Sequence, residues 1–357
     1  IPSTLESRAL LSDRGILKIL ELLPDKKLIY REGPDLSSPI FKNIANRRSY
    51  QNEDDEDVLL TGIVNLKNKN YCYLQLNSFN FDSDKEFGFK ITEKINETKY
   101  PLSLPVVLKN YLQSCEVFKA PLIFDLINNG GGNSRVAQLI YALFENDQTK
   151  ITYTAKSNLT EIGNYSLIGN YTNSIDGENP DLDDILFFDT MKQARENKLP
   201  VTDWTLTKNI KLEKNIYSGQ GFILTSTNCV SACEITANRF KIAGRATIIG
   251  EATSGTGFGF SSYKNAETKF RDPLNLFEVK IMNHAFQSVV VEDDKNFKTL
   301  GDLKGSTLGF DKIKLLENNP VTPDIVIEYT LNDILNEYSD YIQSLTKILE
   351  QDEVHLK

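Results

Sequence analysis

The feature that most constrains the fold is an abrupt change of pattern between residues 120 and 145. The run APLIFDL, Ala120 to Leu126, is apolar apart from Asp125, stops at INNGGGN, and is followed by SRVAQLIYALFE with helical spacing. A strand without polar alternation is buried on both faces, as parallel strands covered by helices are. The same grammar returns downstream. GFILTST (221–227) reads as a strand, SACEITANRFKIAG (231–244) as a helix ended by Gly244, and ATIIGE (246–251) as a strand, together a βαβ unit. Around this core, YCYLQLNSF (71–79), FEVKIMNHAF (277–286) and PDIVIEY (323–329) read as strands. A helix is expected near 104–113, and LNDILNEYSDYIQSLTKILE (331–350) as a terminal amphipathic helix. Alternating strands and helices imply an α/β sheet with helices on both faces.

The flanks are less regular. GILKILELLP and LIYREG surround Asp25-Lys26-Lys27 as a hairpin would, and the acid cluster Glu53 to Asp57 reads as a solvated linker. This divides the chain into an N-terminal β-hairpin segment with its linker, 1–57, and a main domain, 58–357. A loosely patterned polar stretch at about 154–216 reads as an insertion. The chain begins at Ile1 without a leader pattern, so it reads as cut from a longer one, with the hairpin a remnant of an upstream regulatory domain.

Composition removes several function classes. A net charge of -9 gives no basic field to gather phosphates, which argues against a nucleic-acid partner. No run reaches the roughly 18 apolar residues of a membrane span. Two histidines far apart, with no Cys/His cluster near either, leave no zinc site, and no cofactor motif is present. Four cysteines suffice for two bridges, and N-x-[ST] sequons start at Asn96, Asn158, Asn164 and Asn170. Both are consistent with a secreted or extracytoplasmic protein.

Two motifs carry chemistry. NNGGGNS lacks the G-K-[ST] of a P-loop and the spacing of a dinucleotide fingerprint, which leaves an oxyanion-type nest or a plain tight turn. In NCVSACEI, Ser231 is the first residue of S-x-x-E, a capping box with Glu234. The same place, beside the partly positive N–H groups of a helix start, also suits a serine nucleophile. Cys229 and Cys233 flank it, with Cα atoms expected about 6 Å apart, inside disulfide range. Two reduced, buried thiols are the alternative.

Taken in order, DLINNGGG, CVSACEI, GRATIIGEATSGTG and ENNPVTPDIVIE resemble the C-terminal processing peptidases and their tricorn-core relatives, over about 70–345 without the insertion. Cys-x-Ser-x-Cys resembles most the branch that contains the chlamydial secreted protease. The resemblance implies a crotonase-like (ClpP-like) core, Ser231 as nucleophile, and an oxyanion hole from the amides of Ala232 and the Gly130–Gly132 turn, with Gly131 central. The processing peptidases place a lysine base where this chain has Thr256, and EATSGTGFGF contains no lysine. A neutral threonine takes no proton at pH 7, so the resemblance points to the Ser–His–Glu branch, with Glu317 in the place of the acid that orients the imidazole. Pro320 stands where a glycine is usual. In that branch the histidine precedes the core, whereas here His284 lies in an apolar strand after the serine and His355 near the end. The base is therefore expected from a separate N-terminal segment of the same precursor. The function implied is a serine endopeptidase acting on proteins or peptides. The alternative is a catalytically inactive binding module on the same scaffold.

Overall fold

The structure is a computed structural model. It describes residues 39–67, 69–81, 83–84, 88–144, 151–158, 192–202, 204–208, 216–259, 269–271, 273, 278–280, 284–291, 306–308, 316–330, 332–333, 336 and 338–355. The hairpin expected at 11–33 lies outside them, as does most of the insertion expected at about 154–216.

Ten strands form the main sheet: β1 (Ile44–Gln51), β2 (Asp57–Leu66), β3 (Lys69–Leu76), β4 (Ser83–Asp84), β5 (Gly88–Ile95), β6 (Thr98–Ser103), β7 (Leu122–Asp125), β10 (Gly221–Thr225), β11 (Ala246–Gly250) and β17 (Ile325–Val326). The order is β17-β11-β10-β7-β3-β2-β1-β5-β4, with β6 on β5. From β3 to β17 the pairs are parallel, and from β3 through β2 and β1 to β5 they are antiparallel. A second sheet joins β8 (Ile151–Asn158), β9 (Trp204–Lys208), β12 (Phe258–Gly259), β15 (His284–Val291) and β16 (Ser306–Leu308), while β13 (Lys269–Arg271) pairs with β14 (Glu278–Lys280).

Four helices cover the main sheet: α1 (Leu104–Phe118), α2 (Ser134–Ala142), α3 (Ala232–Ile242) and α4 (Ser339–His355). The first three share one core with Phe124, Ile223 and Ile248, while α4 packs Tyr341, Leu345 and Leu349 against Ile123, Leu224 and Ile249 on the other face. Every residue of β7 is buried. That is why its sequence shows no alternation, and each large apolar side chain there contributes about 1.5–3 kcal/mol by burial.

Some expectations are corrected. The acid cluster is no linker: Asn52 Oδ1 accepts the N–H groups of Asp54 and Glu56, closing the turn of the β1–β2 hairpin with its acids facing water. FEVKIMNHAF is not one strand, since its first part belongs to β14 and His284 opens β15 in another sheet. The terminal helix starts at Ser339, because Tyr338 is in the left-handed region (φ 63°) and Asp333 receives the Tyr341 N–H. Helix α1 runs on to Phe118, as Cys115 extends its buried stripe and Lys119 closes it left-handed. Cys115 is bonded to Cys72 of β3, 43 residues away.

Parallel register decides where function sits. Leu224 pairs with Asp125 and Thr225 with Gly250, so the loops after β7, β10 and β11 leave the sheet at one edge. In α/β sheets that carboxyl edge is where ligands bind.

Candidate active site

The loop after β7 is held by Asn129, whose side chain is fully buried. Its Nδ2 donates to the Leu76 carbonyl and its Oδ1 accepts the Gly131 N–H, both at 2.8 Å. Its carbonyl accepts the Val230 N–H at 3.3 Å, which ties this loop to the one carrying Ser231. Gly131 has φ +89°, and a Cβ there would lie 2.5 Å from the Val230 carbonyl and 3.0 Å from Ser231 Cβ. Only glycine allows that backbone conformation and that approach together. The triple glycine therefore brings the turn against the serine, with the Gly131 N–H already committed to Asn129.

Ser231 stands at the N-cap of α3 with φ 56° and ψ -117°. An ordinary N-cap is extended. These angles instead belong to the first central position of a type II′ turn, where glycine is favoured and another residue is strained by about 1–3 kcal/mol. The capping box is present in pattern: the Glu234 carboxylate accepts the Ser231 N–H at 3.2 Å. The return contact from the Glu234 N–H is too loose to make the Ser231 hydroxyl a capping acceptor. Beside it, the N–H of Ala232, the first helical residue, has no acceptor among the described residues. Cys229 and Cys233 are bonded, with Cα atoms 5.3 Å apart, and both are fully buried behind the serine.

The loop after β11 completes the arrangement. Glu234 is buried and its carboxylate accepts from Thr253 Oγ1 and the Gly255 N–H at 2.6 Å, the Thr256 N–H at 2.7 Å and the Thr256 hydroxyl. The Thr256 oxygen in turn accepts the Ser231 N–H at 3.1 Å. The position expected of a lysine in the dyad peptidases is thus beside the serine backbone, but its hydroxyl is occupied on both sides.

Glu317 belongs to the same surface. Its Oε2 accepts the Gly257 N–H at 2.9 Å, one residue from the Thr256 contact with Ser231. A Cβ on Gly257 would lie 2.5 Å from the Glu317 N atom, so the two segments touch backbone to backbone. The Val321 N–H donates to Thr253 Oγ1, the Thr253 N–H to the Val321 carbonyl, and the Asn318 N–H to the Gly255 carbonyl. Pro320 packs its ring where a Gly255 side chain would stand, at 3.2 Å. The structure therefore brings Ser231, Ala232, Gly131 and Glu317 onto one edge. The backbone of His284 pairs with Gly259, two residues past Gly257, and its strand β15 lies over α3; His355 is in α4, on the far side of the sheet. Asn129 and Thr253 were not singled out in the sequence, Thr256 was named there only as the neutral residue in the place of a lysine base, and Glu234 was visible only as the partner of a cap. Among the described residues no three His, Cys, Asp or Glu side chains gather as a metal site would require, and no helix is long and apolar enough to cross a membrane.

The sequence profile of Peptidase family S41 matches residues 70–268, more than half of the chain. No curated protein matches significantly. Among solved structures, mature CPAF complexed with lactacystin aligns over 94% of this chain and 62% of its own, with 13% identity and a TM-score of 0.54. The chain thus spans less than two thirds of that neighbour. The photosystem II D1 C-terminal processing protease aligns over 74% of this chain and 43% of its own, at 14% identity and TM-score 0.34. The tricorn protease aligns over 73% and 22%, at 18% identity and TM-score 0.28. With CPAF the likeness is one of fold.

Proposed function

The chain belongs to Peptidase family S41, a family of serine peptidases, and on that premise we propose that it is the core of a serine endopeptidase with Ser231 as the nucleophile. The observation that carries this is the serine itself: a strained, non-glycine residue at a helix start, faced by Gly131 and followed by an Ala232 N–H that has no acceptor among the described residues. Backbone strain of this kind collects where geometry is fixed for chemistry.

In the proposed reaction the Ser231 hydroxyl attacks the scissile carbonyl and its proton passes to a histidine. The tetrahedral oxyanion is held by the Ala232 N–H. The Gly131 turn forms the other wall, and its N–H joins the hole only by leaving Asn129 Oδ1. Glu317 orients the imidazole, as the acid of a triad does. We assign that histidine to a separate segment of the same precursor, N-terminal to Ile1, because Thr256 offers no base and Glu317 is the acid of a histidine-dependent triad. The α/β core is read as crotonase-like, the substrates as proteins or peptides, and the location as secreted or extracytoplasmic.

The test is a fluorophosphonate reaction followed by peptide mass mapping, on this chain and on the longer precursor. One adduct on Ser231, faster in the precursor, with hydrolysis of an unstructured protein by the precursor, is the expected result. No adduct on Ser231 in either form overturns the proposal. Hydrolysis by the isolated chain that disappears in His284→Ala would instead make His284 the base.

A further inference from the structure

The loop after β11 does more than lie beside the serine. Five hydrogen bonds converge on the Glu234 carboxylate, from Ser231 N–H, Thr253 Oγ1, Gly255 N–H, Thr256 N–H and Thr256 Oγ1. Because the Thr256 hydroxyl donates to Glu234, its lone pair is left to face the Ser231 N–H. The Ser231 carbonyl is occupied as well, by the Ile235 N–H at 3.0 Å.

We propose that Thr256 and Glu234 are positioning residues that hold Ser231 in its left-handed conformation and so fix the aim of its hydroxyl. The inference rests on the reading of Ser231 as nucleophile. An L-residue at these angles relaxes toward an ordinary φ unless its surroundings over-determine it. Relaxation turns the Ser231 N–H away from both of its acceptors, the Thr256 hydroxyl and Glu234, and leaves them facing each other without the third partner. The carboxylate fixes the hydroxyl, and the hydroxyl fixes the amide. Thr256 touches the serine's backbone and not its reacting oxygen, and its proton is already given to Glu234, so neither residue is a base.

A purely structural cap and a positioning pair differ in what they change. A cap alters stability alone, whereas a positioning pair alters the reactivity of Ser231 in protein that is still folded. Thr256→Val removes the hydroxyl and keeps the shape, and Thr256→Ser keeps the hydroxyl. Glu234→Gln, in either amide orientation, turns an NH2 toward at least two donors. The readouts are the rate of fluorophosphonate modification of Ser231 in the full precursor, amide hydrogen exchange at Ser231 and Ala232, and the thermal midpoint. Thr256→Val is expected to slow modification about 10–100-fold, the scale of a small misplacement of a reacting group. Thr256→Ser should recover most of the rate, and exchange in Thr256→Val should accelerate at Ser231 but not in the later turns of α3. If Glu234→Gln fails to fold, the two threonine variants still decide. Modification of Thr256→Val at the unsubstituted rate, or failure of Thr256→Ser to recover, overturns the inference. Should the unsubstituted serine not react at all, the peptidase reading falls, and exchange then decides positioning alone: acceleration at Ser231 supports it and unchanged exchange overturns it.

Discussion

Two buried carboxylates on opposite faces of the main sheet, Glu234 and Asp125, are partnered in opposite ways. On the face of α3, Glu234 is buried and meets five donors, and Asn129 uses both ends of its amide. On the face of α4, Asp125 is equally buried and meets two, the Tyr73 hydroxyl and the Ile127 N–H at 3.0 Å. Burial pushes its carboxyl up to about 6, against the pull of those two donors. Burial, together with the nearby Asp125 charge, holds the Tyr73 and Tyr341 hydroxyls well above the ordinary tyrosine range. Among the described residues the hydroxyls of Tyr329 and Tyr341 are buried without a hydrogen-bond partner. Saturating a buried polar group fixes geometry, and leaving it short of partners makes it responsive to protons. At Glu234 the partners fix a geometry, and at Asp125 they leave a group that titrates.

That contrast breaks most visibly at the serine. Ser231→Ala is expected to remove nearly all peptide hydrolysis by the precursor, about 10⁶-fold, while the thermal midpoint stays put. A loss of only a few fold would assign the chemistry elsewhere. Next comes Glu317→Gln, which should lower kcat about 10³–10⁴-fold with little change in KM, as loss of an imidazole-orienting acid does. Steady-state kinetics check this, and an unchanged kcat would leave Glu317 with only its bond to Gly257.

Gly131→Ala tests both properties of the first face at once. A forced left-handed alanine and a Cβ at 2.5 Å from the Val230 carbonyl should cost about 2–5 kcal/mol in urea unfolding. Hydrolysis should fall further than stability explains. The smallest effect belongs to the second face. The Asp125 carboxyl is raised when folded, from 3.8 to about 6, so the native state holds a proton that the unfolded chain has released. Stability from this group is full below pH 3.8 and is lost as pH rises through about 6, by about 1–3 kcal/mol. Asp125→Asn should flatten that dependence, and an equally steep curve in the variant would place its origin in another group.

What the sequence disclosed follows the range of each interaction. The buried strand 120–126, the βαβ unit and the helix opening at Ser231 were legible because each is set by neighbours a few residues apart. Cys229 and Cys233 were legible for the same reason. The bond between Cys72 and Cys115 was not, since spacing does not dictate a pairing across 43 residues. The acid cluster read as a linker because charge shows solvation but not the strand pairing on either side of it. Glu234 is the instructive case. Its acceptance of the Ser231 N–H was visible at a separation of three, while the four donors from Thr253, Gly255 and Thr256, about twenty residues on, needed the fold.

The stitching of 316–321 onto 253–257 also bears on how such a chain is made. The pieces of the site come from 129–131, 229–234, 253–257 and 316–321, and the last arrives some sixty residues after the loop that it secures. A nascent chain extruded through Gly257 carries Ser231 but lacks Glu317 and the backbone that clamps the Thr253–Gly257 loop. Contacts so distant in sequence form late, after much loop-closure entropy has been overcome. The ribosome thus releases Ser231 together with Glu234 and Thr256 well before the backbone of 316–321 that clamps their loop, so this edge of the sheet is completed only after that last segment has emerged.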